Sequence, residues 1–218
     1  MKRNTWLALW IVASVLLGTG IANAHVPYFE HNDWSEQNPF IVQNGVEQSI
    51  AVYSWLEFGS WVRGTIDVDV YMFEIAEPTQ LYIGSIVPAC VGYEEFLPWF
   101  AIVGPGLPDP GMMVPFDIPE DYGAIIVENF APGEERDKFY EPFGGKWYYD
   151  GPVYDDWVDE PGVYYIYYWD PYGIGGDYSA IIGDKEIWGL VEIIRALIYT
   201  PLIRQDQELH LECVLPWS

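Results

Sequence analysis

The chain has 218 residues, 33 of them acidic against nine basic, so its formal net charge near neutrality is −24. A surface this negative repels phosphate backbones and anionic lipid, which argues against nucleic acid as a partner and leaves cations and cationic surfaces. Half of the residues are hydrophobic and 17% are aromatic, enough to bury a sizeable core.

Residues 1–24 read as an export leader. Lys2 and Arg3 start it, Trp6 to Leu17 form an apolar run broken only by Ser14, and Ala22-Asn23-Ala24 supplies a small-residue cleavage site. Cleavage there makes His25 the first mature residue and places the protein in the periplasm or outside the cell, with no transmembrane helix in the mature chain. In that oxidising setting the two cysteines, Cys90 and Cys213, are expected to form a disulfide.

From His25 to Pro39 the chain is polar and aromatic without a sustained period, and reads as an arm laid over a core. Phe40–Gln43 and Gln48–Trp55 look like short strands around the turn signal Asn44-Gly45. The clearest strand is Asp67–Ile75, in which Tyr71, Phe73 and Ile75 alternate with Met72 and Glu74. Leu81–Val87 follows as its antiparallel partner, and Trp99–Val103 runs into Gly104-Pro105-Gly106. Prolines at 105, 108, 110, 115 and 119 then exclude interior strand or helix and predict an irregular surface excursion.

Tyr122–Val127 returns to strand character. Residues 129–160, dense in Gly, Pro, acid and aromatics, are expected to form a long ordered loop that carries binding. Val163–Trp169 is nearly all aromatic or β-branched and predicts a central strand, with Tyr178–Ile182 as the other arm of a hairpin. After Gly183 the period lengthens to about 3.6, with Ile187, Leu190, Val191, Ile194, Leu197 and Ile198 on one face of a helix that Asp184 caps and Pro201 stops. The sum is a mainly β protein: an antiparallel β-sandwich over 40–183, with 184–218 as a C-terminal amphipathic helix and tail packed on it.

Three stretches carry a family resemblance: Asp67-x-Asp69-x-Tyr71-x-Phe73, Trp99–Val103 running into Gly-Pro-Gly, and Pro161-Gly162-Val163-Tyr164-Tyr165 leading to Gly176-Asp177-Tyr178. Together they are similar to the bacterial pre-peptidase C-terminal domains, discontinuously over residues 50–183. The resemblance implies a small secreted sandwich of jelly-roll type with a role in targeting or adhesion.

Motifs for the common hydrolases, zinc proteases, phosphate loops and redox dithiols are absent, which points away from an enzyme. Asp155-Asp156 and Glu134-Glu135 have the residue types of a glycosidase pair, but among 33 carboxylates such pairs arise by chance. Asp67 and Asp69 point to one side of their strand and can ligate calcium, a hard cation that takes several oxygens; Asp155, Asp156 and Asp159 offer the same from the long segment. Solvated carboxylates are the plainer alternative. Trp147, Tyr148, Tyr149, Tyr154 and Trp157 suit either a ligand-stacking platform for sugars or a seal over the sandwich.

His25 carries the sharpest hypothesis. At a new N-terminus it offers an amine and an imidazole to one copper ion, similar in that feature to histidine-brace copper proteins, with His31 or His210 as a further nitrogen and Glu30 or Asp33 as an oxygen ligand. The sequence therefore supports an exported, non-enzymatic binding or structural sandwich with a cell-surface, glycan or protein partner. The alternative is a copper-binding carrier or oxidative enzyme.

Overall fold

Apolar side chains at every second position give a strand two faces, and here most strands have both faces covered. The computed structural model describes residues 25–211. In chain order the elements are β1 (Val26–Phe29), β2 (Phe40–Ile41), β3 (Ile50–Leu56), β4 (Val68–Ile75), β5 (Thr79–Pro88), β6 (Trp99–Pro105), β7 (Tyr122–Val127), β8 (Lys138–Glu141), β9 (Lys146–Val158), β10 (Gly162–Trp169), β11 (Gly176–Ile182) and the helix α1 (Leu190–Ile203). They form a β-sandwich of two sheets, one ordered β1-β3-β11-β5-β9-β8 and the other β2-β4-β10-β6-β7.

Among the described residues all pairings between strands are antiparallel except two, made by β1 in the N-terminal arm and by β2 just after it. β1 lies parallel to β3 in the six-stranded sheet, and β2 lies parallel to β4 in the five-stranded one. The arm thus crosses from one sheet to the other, and the loop between β1 and β2 closes the gap at that side.

The main core comes from the alternation. Tyr71, Phe73, Phe100, Ile102, Tyr164, Ile166 and Tyr168 of the five-stranded sheet meet Ile50, Val52, Leu81, Ile83, Tyr178 and Ile182 of the six-stranded one. The intervening residues of β10, Tyr167 and Trp169, point the other way and are also buried, under the proline-rich excursion. Phe116 of that excursion stacks on Tyr167 with centroids 4.0 Å apart and planes 11° from parallel. This double cover explains why β10 reads as an unbroken apolar run. The excursion also reaches β7, where the Ala124 N–H donates to the Pro108 carbonyl (2.7 Å).

The outer face of the six-stranded sheet is covered by α1. Tyr199 stacks on Phe29 (4.5 Å, 27°), Arg195 lies over the Tyr28 ring (3.9 Å), and Ile203 is fully buried. Two expectations are corrected here. The helix starts at Leu190 with Gly189 as N-cap, whose N–H is taken by the Glu192 carboxylate (2.9 Å), and it runs through Pro201 to Ile203. Proline forfeits a single backbone bond there, at an exposed position in the last turn, and the burial of Ile203 holds the end in place. The face expected to pack, with Leu190, Val191, Ile194, Leu197 and Ile198, is instead exposed, because the aromatic edge of β1 engages the Arg195–Tyr199–Ile203 stripe.

The 129–160 segment is likewise not a loop for most of its length. It contains β8 and the 13-residue β9, which pairs with β5 along nearly all of β5. Its turn formers sit at a bulge, where the register shifts between Gly84 and Ile86. A Cβ at Gly151 would meet the Ser85 carbonyl oxygen at 2.2 Å, so the close approach there requires glycine. Cys90 is fully buried after β5, whereas its expected partner Cys213 and the residues 1–24 expected to form a leader lie outside the described residues. Among the described residues no helix is long and apolar enough to cross a membrane.

Candidate metal centre

Alternation along β4 puts Asp69 on the same side as Tyr71 and Phe73, toward the space between the sheets. There it is 1% exposed. Glu30, the residue after β1, is also 1% exposed, held by its own N–H to the Tyr53 carbonyl (2.9 Å). Asp33, exposed in the arm, completes the group, and one carboxylate oxygen from each of the three lies within 4.8 Å of the others. Oxygens on opposite sides of a calcium ion are about 5 Å apart, since each sits 2.3–2.6 Å from the metal.

The hydrogen bonds leave this group incomplete. Glu30 accepts the N–H of Trp34 at Oε1 (2.8 Å) and that of Trp55 at Oε2 (3.4 Å). Asp69 Oδ2 accepts the Tyr178 hydroxyl (2.7 Å), which belongs to the opposite sheet and continues through Tyr71 (3.1 Å) to Ser54 (2.8 Å). Asp69 Oδ1 is buried and has no partner. No Lys, Arg or His forms an ion pair with the three acids among the described residues. Burial pushes Glu30 up to about 8, and burial together with the Glu30 charge holds Asp69 well above the usual carboxylate range. Without a cation the centre is electrostatically unfavourable; with a hard cation its three oxygens and the unpartnered Oδ1 find a use.

A cleft of about 550 Å³ adjoins the centre. Asp33 belongs to both the cleft and the acidic group, and Asp67, Glu36, Asp117, Trp61 and Phe116 line the rest of the cleft. Asp67 is committed to the backbone: it accepts Glu57 N–H at Oδ2 (2.6 Å) and Val68 N–H at Oδ1 (2.9 Å). Of the two acids expected to share a cation, Asp69 lies in the three-carboxylate group with Glu30 and Asp33 of the arm, and Asp67 does not.

With this geometry in hand, likeness to known proteins is slight. Among solved structures the chain is similar to the pre-peptidase C-terminal domain of collagenase from Bacillus anthracis. The match has 15% identity, covers 68% of this chain and 98% of that one, and has a TM-score of 0.32. This is the family that the Asp67–Phe73 strand resembles. No family model and no curated protein matches the chain.

The other predicted residues are spread out. His25 stands before β1 and His31 beyond its end, so an extended strand of roughly 13 Å separates them. His25 Nδ1 is hydrogen-bonded to the Ser49 hydroxyl, and burial lowers its pKa. His31 is exposed, and Asp33 goes with the carboxylates rather than with His25. The His210 ring stacks on Trp55 (3.7 Å, 24°), and the His210 backbone N–H donates to Asp177 Oδ1 (2.7 Å). The five aromatics of 129–160 do not form one platform: Tyr148 and Tyr149 are buried, Tyr154 is half-buried, and the exposed Trp147 and Trp157 stand near opposite ends of β9, on the order of 30 Å apart. Asp155 and Asp156 are consecutive on that strand and point to opposite faces.

Proposed function

We propose that this chain is an exported, non-enzymatic β-sandwich that binds calcium between its N-terminal arm and β4, and meets its partner at the acidic and aromatic cleft beside that ion. The carrying observation is the buried, unpartnered Asp69 Oδ1 in a group of three carboxylates with no basic residue paired to it among the described residues. All-oxygen donors of this kind suit a hard cation and not copper, which favours imidazole. Export is supported by the leader-like residues 1–24.

Calcium bound here would join Glu30 and Asp33 of the arm to Asp69 of the five-stranded sheet and so brace the two sheets. Isothermal titration of the chelator-treated protein with calcium tests the reading. One site per chain is expected in the wild type, and none in Asp69→Asn. Equal heats from the two proteins, or none from either, would discard it.

A further inference from the structure

A second buried cluster lies on the outer face of the six-stranded sheet, where residues 204–208 after α1 clasp the turn between β8 and β9. Arg204 donates from Nε to the Phe143 carbonyl and from Nη2 to the Pro142 carbonyl, both at 3.0 Å. Lys146, the first residue of β9, then reaches Asp206 Oδ1 at 2.5 Å and Glu208 Oε1. The Lys146 side chain is 3% exposed and that of Glu208 1%, while Asp206 is 47% exposed. Asp206 is held in the left-handed region (φ 58°), its N–H bound to the Ile203 carbonyl (3.1 Å). Glu208 Oε2 is buried without a partner. The phenols of Tyr53 and Tyr148, both buried, feel the Glu208 charge.

An amine shielded from water and held in contact with a carboxyl, with a second, buried carboxyl on the same nitrogen, are the requirements for forming an amide without an external activator. We infer that Lys146 and Asp206 condense into an intramolecular isopeptide bond, with Glu208 moving the proton. Within the pair the Lys146 ammonium gives a proton to the Asp206 carboxylate, so that a buried ammonium and its half-exposed partner become a neutral amine and a carboxylic acid. The Nζ lone pair attacks Cγ of Asp206, and contact distance supplies the proximity that makes the step unimolecular. Glu208 takes the proton that Nζ sheds and returns it to the hydroxyl of the tetrahedral centre, which departs as water. One N–C bond forms, one C–O bond breaks, one water is lost, and no oxidant or cofactor enters. The exposed side of Asp206 gives that water a way out.

The product would link the β8–β9 hairpin covalently to the segment after α1. The cross-link is independent of the calcium reading, since it shares no residue with that centre.

Intact mass of the purified protein, after reduction and alkylation of its thiols, is expected to be lighter than the sequence by one water. A protease map should show a branched peptide joining Lys146 to Asp206, with no tryptic cut after Lys146. Lys146→Arg, which keeps the cation, Asp206→Ala and Glu208→Gln should each restore the full mass. Full mass in the wild type together with cleavage after Lys146 would overturn the bond. So would a water loss that persists in Asp206→Ala or maps to other residues. A branched peptide that forms unchanged in Glu208→Gln would remove Glu208 from the mechanism.

Discussion

The two buried carboxylate clusters solve the same electrostatic problem in different ways. Glu208, on the outer face of the six-stranded sheet, is raised by burial but has Lys146 against it, which pulls it partly back down. Glu30 and Asp69, between the sheets, form no ion pair with a lysine or arginine among the described residues; burial raises both, Asp33 raises Glu30 further and Glu30 raises Asp69. A buried acid with a built-in cation is a structural fixture, whereas one without is an invitation to a cation from solution. The contrast separates the part of this chain that holds itself together from the part poised to respond to its surroundings.

Removing the built-in cation should have the largest effect. Lys146→Met removes both the cation that faces Glu208 before condensation and the cross-link formed from it, and a loss of at least about 3–5 kcal/mol is expected in urea unfolding. A loss as small as that of an exposed lysine would erase the distinction between the clusters. At the other cluster the added cation matters more than the side chain. At a calcium concentration a hundredfold above Kd the wild type should gain about 2.7 kcal/mol, a gain absent from Asp69→Asn. In chelator the order should reverse, with Asp69→Asn at least as stable as wild type because a repelling charge is gone; a variant less stable in both conditions would show that Asp69 is needed for packing alone.

Tyr178→Phe takes away the one donor to Asp69 and is expected to cost about 1–3 kcal/mol in chelator, with calcium recovering part of it. Thermal melts that do not respond to calcium in this variant would count against the link between the tyrosine and the centre. The smallest effect is on pH dependence. Glu30 titrates at about 8 in the folded protein against an ordinary value of 4.5, so the folded state holds the proton more tightly than the unfolded one. Stability from this group is therefore complete below the ordinary value and falls as pH rises toward 8. Melting temperature in chelator should drop across that interval, and saturating calcium should flatten the drop. A chelated protein whose melting temperature rises from pH 5 to 8 would contradict the assignment.

How much of this was legible from residues alone depends on the local pattern. β4 announced itself by its period of two, and β3, β5, β6, β7, β10 and β11 by apolar or β-branched runs between turn formers, but the partners expected for β4 and β10, namely β5 and β11, lie in the opposite sheet. β9 did not, since Gly151 and Pro152 fall at its bulge and read as loop residues. The helix was found, but its packing face was not: two apolar stripes compete, and only the position of Phe29 and Tyr28 on β1 decides between them. At the candidate site, alternation placed Asp67 and Asp69 on one side. Nothing local tied Asp69 to Glu30 and Asp33, which the parallel pairing of β1 and β2 brings in from the arm. Lys146 stood in a stretch read as loop, and Asp206 and Glu208 were two acids among 33.

The proline-rich excursion has a consequence beyond covering Tyr167 and Trp169. A sandwich, unlike a closed barrel, ends in strands whose outer backbone groups are open to another chain. Three of the four border strands here, β1, β2 and β8, are two to four residues long and offer little to pair with. The fourth, β7, has six residues, and it is the one whose outward Ala124 N–H is taken by the Pro108 carbonyl. The excursion leans over it at Gly123, where a Cβ would meet the Leu107 carbonyl oxygen at 1.9 Å. A segment rich in proline, with few N–H groups of its own to offer, occupies the longest open border without becoming a new one, so resistance to fibril-like stacking is built into the backbone and does not depend on the acidic surface.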